Sequence, residues 1–182
     1  MFDIRKIQEQ SIFEAIKKIS DSETASEIVF GQSDGARSEA NSVWVESTMS
    51  RLMQKFDAKT VKQIRMGCQC GYGMDEKIDL LMELKRNSTN MEEFARSEKA
   101  HDAGLSYENG QLYLQFVFCP CPMLAEVSHL NSMAWCECSA GYSKVLFEKA
   151  FECAVDVTML KSIKCGDDVC LMKIVPSGNI WE

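Results

Sequence analysis

The sequence is short of several features that would point directly to a function. Positive charge is scarce: 20 Lys and Arg stand against 27 Asp and Glu, for a net charge of −7. The few basic clusters, such as Lys17-Lys18, are interleaved with acids. No basic stripe is left to neutralise phosphates, so nucleic acid is not an expected partner, and an anionic membrane surface is disfavoured for the same reason. No apolar run approaches the length that spans a bilayer. The first residues, Met1 to Lys6, run straight into an amphipathic pattern without a signal-peptide apolar core. Histidine is down to two residues, His101 and His129, which leaves few bases for nucleophilic catalysis. Low-complexity segments and solenoid repeats are missing as well. A cytoplasmic setting is the expectation these absences support.

What remains is an ordinary globular composition, with 46% hydrophobic and 26% charged residues over 182 positions, enough to bury a real core. Phe2, Ile4, Ile7, Ile12, Ile16 and Ile19 recur at helical spacing. Ser20 with Glu23 reads as a capping box opening a second helix through Phe30, and Gly31 to Gly35 reads as a loop. A longer helix places Val45, Met49, Leu52, Met53 and Phe56 inward, and Lys59 to Met66 adds a further turn or two. Helices are also expected over 75–85 and from Asn90 to about His101, over Met123 to Leu130, and over Ser139 to Phe151. Between them, 105–108 and 111–118 flank Asn109-Gly110, a type I′ hairpin signal because both residues tolerate positive φ. Two β-rich stretches, 154–163 and 169–175, close the chain. The fold class expected is α+β: a helical N-terminal half, then an antiparallel sheet of about four strands with helices packed on it. The corresponding division is a helical region over 1–66 and a Cys-rich α+β region over 67–182, packed as one domain.

The nine cysteines are the chemical signal. In a reducing compartment they are thiols, thiolates or metal ligands, and their odd number disfavours full disulfide pairing. Six occur as Cys-x-Cys: Cys68 and Cys70, Cys119 and Cys121, Cys136 and Cys138. Each pair precedes a predicted helix, whose N-terminal N–H groups and dipole favour a thiolate. In an extended segment residues i and i+2 point the same way, so each pair can offer two sulfurs to one site. Zinc or another thiophilic metal is the cofactor that such ligands suit, although zinc knuckles use Cys-x2-Cys spacing. Against this stands the habit of free cysteine to pack as a small hydrophobe. Cys153 reads as helix core, and Cys165 and Cys170 as cross-strand neighbours under the last turn. Tyr72 and Tyr142 follow cysteine pairs and are candidates to line a ligand pocket; Glu126 and His129 are candidate ligand-binding groups, and Glu126 and Glu137 candidate bases. For each of these, packing or a solvated surface role is the plainer alternative.

The run Cys136 to Tyr142, the helix after it, the strand around Val155 to Ile163 and Gly166-Asp167-Asp168 with Cys170 and Ile174 resemble the end of the vinyl-reductase-type, or hydrocarbon-binding, domain, which shares its fold with Bet3-like trafficking proteins. Together with Cys119-Pro120 to Glu126, the same tail is similar to the bacterial aminothiazoline-carboxylate hydrolase family. The resemblance covers roughly Leu112 to Val175; the paired cysteines before Gly141 and the Cys68 to Gly73 segment depart from both patterns, and the N-terminal helices find no match in either. It implies helices on an antiparallel sheet with a small-molecule pocket between them and a cysteine nearby, or, in the hydrolase family, opening of a C–N bond.

Three functions follow as expectations. The first is a small-molecule- or metal-binding domain whose thiolate site uses the three Cys-x-Cys pairs. The second is a hydrolase of amide-like C–N bonds, and the third a thiol redox sensor. A small-molecule ligand is the expected partner, and a homodimer is an arrangement open to the chain.

Overall fold

A computed structural model describes residues 3–31 and 40–181. It is an α+β fold, as expected. Phe2 and most of the expected 31–35 loop lie outside the described residues. The chain divides into two compact units: Met1–Cys70 with Pro120–Gly141, and Gly71–Cys119 with Tyr142–Glu182.

The first unit is built on α1 (Ile4–Ile19), α2 (Ser22–Phe30), α3 (Asn41–Lys55) and α4 (Ala58–Met66). Short polar side chains start three of them by accepting from otherwise unpartnered N–H groups. Asp3 accepts from Lys6 N, Asp21 from Thr24 N at 2.7 Å and Asp57 from Thr60 N at 2.8 Å. The start of α2 corrects the expected capping box: Asp21 caps it, while Ser20 closes α1. The apolar stripes bury Ile12, Ile16, Val29, Trp44, Leu52, Val61 and Ile64. After residue 119 the chain returns to this unit through two 3-10 turns, Pro122–Leu124 and Met133–Cys136. The helix expected over Met123 to Leu130 is therefore a single turn. Pro122 occupies its first position, and only Met123, Leu124, Val127 and Leu130 are buried along the segment.

The second unit carries α5 (Met74–Arg86), α6 (Met91–Arg96), α7 (Glu98–Asp102), β1 (Leu105–Glu108), β2 (Gln111–Phe116), β3 (Val155–Lys161) and β4 (Cys170–Pro176). The helix expected from Asn90 to His101 is two short ones, because Ser97 leaves helical geometry and caps α7. The strands pair antiparallel in the order β1-β2-β4-β3. The hairpin forms as expected, with Asn109 at φ 51° and Gly110 at φ 79°, although β2 ends at Phe116 and leaves Val117 and Phe118 exposed. Alternating residues Leu112, Leu114, Val157, Met159, Met172 and Ile174 face inward. Leu160 faces outward by the same alternation, and a register shift between Met159 and Lys161 leaves Lys161 exposed as well. The Phe151 ring meets Phe94 edge-on and Phe147 at a tilt, each with centroids 5.3 Å apart. A final helix, α8 (Glu137–Phe151), begins in the first unit and continues in the second.

Two cysteine expectations are corrected here. Cys153 lies beyond the end of α8, half-buried, and is not helix core. Cys165 sits in a 3-10 turn rather than a strand, while Cys170 is buried opposite Phe116; the two are not cross-strand neighbours.

Gly104 turns the chain from α7 into β1 at φ +87°, and a Cβ there would stand 2.1 Å from Gln115 O. The close approach lets Gln115 N donate to Gly104 O at 2.8 Å. Gly104→Ala combines a disfavoured φ with a backbone clash, and a loss of about 3 kcal/mol is expected, read as a lower urea midpoint. An unchanged midpoint would show that the turn has room to relax.

Candidate functional site

The site grows from a polar pair on otherwise apolar helix faces. In α1, Gln8 falls between Ile4 and Ile12 on the i, i+4 ladder. In α4, Arg65 follows Ile64 and lies one turn beyond Val61. Helical periodicity thus forces both side chains inward, and Arg65 is 0% exposed. A buried guanidinium cannot shed its proton, so it requires partners. Nη1 donates to Gln8 Oε1 at 3.0 Å and Nη2 to Trp135 O at 3.2 Å. The Trp135 ring lies under the guanidinium, 4.0 Å from Cζ to ring centroid, an arrangement that favours a cation over an aromatic face. Trp135 in turn meets Trp44 edge-on at 5.7 Å. Among the described residues no carboxylate pairs with Arg65, and neither its Nε nor Trp135 Nε1 has a hydrogen-bond partner. Glu137 pairs instead with Lys62 Nζ at 3.6 Å.

The cysteines gather beside this cation. Gln8 passes the contact on: its Nε2 donates to Cys68 O at 2.7 Å and stands 3.8 Å from Cys138 Sγ. Cys138 Sγ donates to the same Cys68 O at 3.0 Å, and Cys68 Sγ donates to Ile64 O at 3.0 Å. Gly141 makes the approach possible. A Cβ there would fall 1.9 Å from Met66 O, so only glycine lets the first turn of α8 settle against the end of α4. Gln69 Nε2 bridges the seam, donating to Met66 O at 2.8 Å and to Gly141 O at 3.5 Å.

The electrostatics favour neutral thiols. Burial pushes the Cys68 thiol up, against the pull of Arg65. Cys138 is pushed up to about 11, first by burial; Arg65 opposes this, and Cys121, Cys68 and Cys70 add to it. The expected gain from a helix start is thus outweighed by desolvation, which disfavours the charged form. Cys138 therefore lies within electrostatic reach of Arg65, Cys121, Cys68 and Cys70, and Cys68 within reach of Arg65. Cys136 is buried in the same unit. Cys119 belongs to the second unit. Among the described residues no group of three or more His, Cys, Asp or Glu is arranged to hold a metal ion.

The remaining candidates sit elsewhere. Glu126 and His129 are exposed, and His129 lies in irregular chain rather than on a helix. In the second unit Tyr142 OH donates to Tyr72 O at 2.8 Å, Lys77 Nζ stands 4.8 Å from the centre of the Tyr142 ring, and Tyr72 is 64% exposed. The two tyrosines meet each other. Gln8, Arg65 and Trp135 went unread as site residues, although polar side chains on the apolar ladder of α1 and α4 were a visible signal for the first two.

Two outcomes are expected. Because the folded thiol of Cys138 titrates near 11 against an ordinary 9.0, the unfolded chain ionises first. Stability should fall as pH rises from 9.0 towards about 11, by an amount on the order of 3 kcal/mol; the difference between wild type and Cys138→Ser, followed by urea unfolding across that window, isolates the effect. An identical pH slope in both would place Cys138 outside the desolvated seam. Gly141→Ala should separate α8 from α4, lowering stability by about 3 kcal/mol and raising the alkylation rate of Cys138.

No match was found among curated proteins or among solved structures. The model of the DUF6144 family, a family of unknown function, matches residues 1–181, and the chain belongs to that family.

Proposed function

We propose that the first unit is a thiol-based binding module, in which Cys68, Cys70, Cys121 and Cys138 receive a thiophilic ligand beside Arg65. The reading is carried by one observation: the Cys138 thiol, at the start of α8, donates to the Cys68 peptide beside the buried Arg65 guanidinium, which among the described residues has no carboxylate partner. Hydrophobic packing alone accounts for buried cysteines but not for placing a permanent cation among them, since an apolar side chain of similar volume costs less to bury. The thiols rest on backbone carbonyls, so a ligand binds by displacing their protons, and Arg65 offsets the negative charge that forms. The resemblance of 112–175 to small-molecule-binding domains with a cysteine near the pocket points the same way.

Full-length protein purified anaerobically and titrated with zinc(II) or copper(I) ions provides the test. Uptake should come with loss of titratable thiols, should weaken as pH falls because protons compete for the sulfurs, and should drop by about tenfold or more in Cys138→Ser. Protein that takes up neither ion at micromolar concentration, with its thiol count unchanged, would remove the reading.

A further inference from the structure

The sheet of the second unit ends on β3, whose one strand neighbour among the described residues is β4. An antiparallel ladder turns backbone groups alternately towards and away from its neighbour. Ala154 O accepts from Ser177 N at 2.8 Å, and the register aligns Asp156 with Val175 and Thr158 with Lys173. That parity turns the N–H and C=O groups of Val155, Val157 and Met159 away from β4, onto the edge of the sheet. Such an edge is a template on which another strand can add. It is a long one, 7 residues, with Asp156, Thr158, Leu160 and Lys161 exposed.

Two side chains of α8 hold the first of these edge positions. Lys144 Nζ donates to Val155 O at 2.6 Å, and Val155 N donates to Glu148 Oε1 at 3.3 Å. The same Glu148 oxygen accepts from Lys144 Nζ, one helical turn away. A half-exposed helix ion pair contributes little by itself; this one also takes up both polar backbone groups of one edge residue. Towards the other end of β3 the register shift between Met159 and Lys161 breaks the ladder, and Ser162 N donates to Asp167 Oδ2 at 2.8 Å. The stretch between is self-complementary. Antiparallel pairing of two copies about Val157 sets Val155 against Met159, two apolar residues of the inner face, and Asp156 against Thr158, so that no like charges oppose. In that register the N–H and C=O of Val155 are the groups that Met159 of the second copy must bond. We infer that Lys144 and Glu148 guard the β3 edge: by occupying the backbone of Val155 they block the addition of β3 from a second copy of this chain.

Full-length protein carrying Lys144→Met and Glu148→Gln together removes the ion pair at similar side-chain length. Sedimentation velocity over a concentration series, with amide hydrogen exchange at the dilute and concentrated ends, reads the result. The self-association constant should rise by about tenfold or more over wild type, the scale of one or two backbone hydrogen bonds. The Val157 and Met159 amides should exchange more slowly as association proceeds. In wild type the Val155 amide should exchange slowly at every concentration, since Glu148 holds it. Lys144→Arg, which keeps the charge and a donor, should associate no more than wild type. Three results would each overturn the guard: a folded double variant that associates no more than wild type, association that leaves the Val157 and Met159 amides unchanged, or a wild-type Val155 amide that exchanges as fast as an unprotected one. If the double variant does not fold, Lys144→Met and Glu148→Gln are read singly against the same outcomes, each loosening one of the two contacts.

Discussion

The first unit is organised around the burial of a single positive charge. Arg65 cannot be neutralised, so its surroundings must satisfy it, and each satisfying group comes from a different stretch of chain. Gln8 arrives from α1, the Trp135 carbonyl and ring from a 3-10 turn some seventy residues later, and the cysteine sulfurs from the segment after α4 and the start of α8. Removing a partner would leave a buried donor unsatisfied, which costs more than the net gain of the bond when made. The guanidinium therefore acts as a specification: it fixes which face of α1 meets α4 and where the 120–141 segment returns.

That specification sets the state of the thiols. Desolvation and the guanidinium pull in opposite directions on Cys68 and Cys138, and desolvation wins at both. Neutral thiols resting on carbonyls are poor nucleophiles and slow to oxidise, because the thiolate is the reactive form. A thiophilic ligand, by contrast, supplies the driving force to remove the protons itself. Neutral, carbonyl-bound thiols are the state that the proposed ligand-binding reading requires.

Much of the fold was legible because it depends on local physics. Asn109-Gly110 marks its hairpin through backbone freedom at two adjacent residues, and Asn90 starts a helix by accepting from the N–H group three residues on. Local reading failed where two local options competed or where tertiary contact decided. Ser20 and Asp21 are both good caps, and Asp21 takes the role. Met123 to Leu130 has a helical apolar spacing, yet the segment is held as a single turn followed by irregular chain. Cys165 and Cys170 looked paired across a turn, but the register aligns Lys161 with Leu171 and leaves Cys165 in the connection.

By itself, the sequence determined the α+β class, most helix and strand positions, and which residues carry sulfur, since composition, periodicity and turn chemistry act over a few residues at a time. Only the tertiary structure decided that Cys138 meets the Cys68 peptide, that Gly141 permits it, and that Arg65 rather than a carboxylate presides over the cluster. Those contacts join residues 57 to 130 positions apart, and no pattern within a helix or strand encodes which distant side chain will complete a buried hydrogen bond. The inward-facing Gln8 and Arg65 were visible on their ladders; what they would face was set by packing.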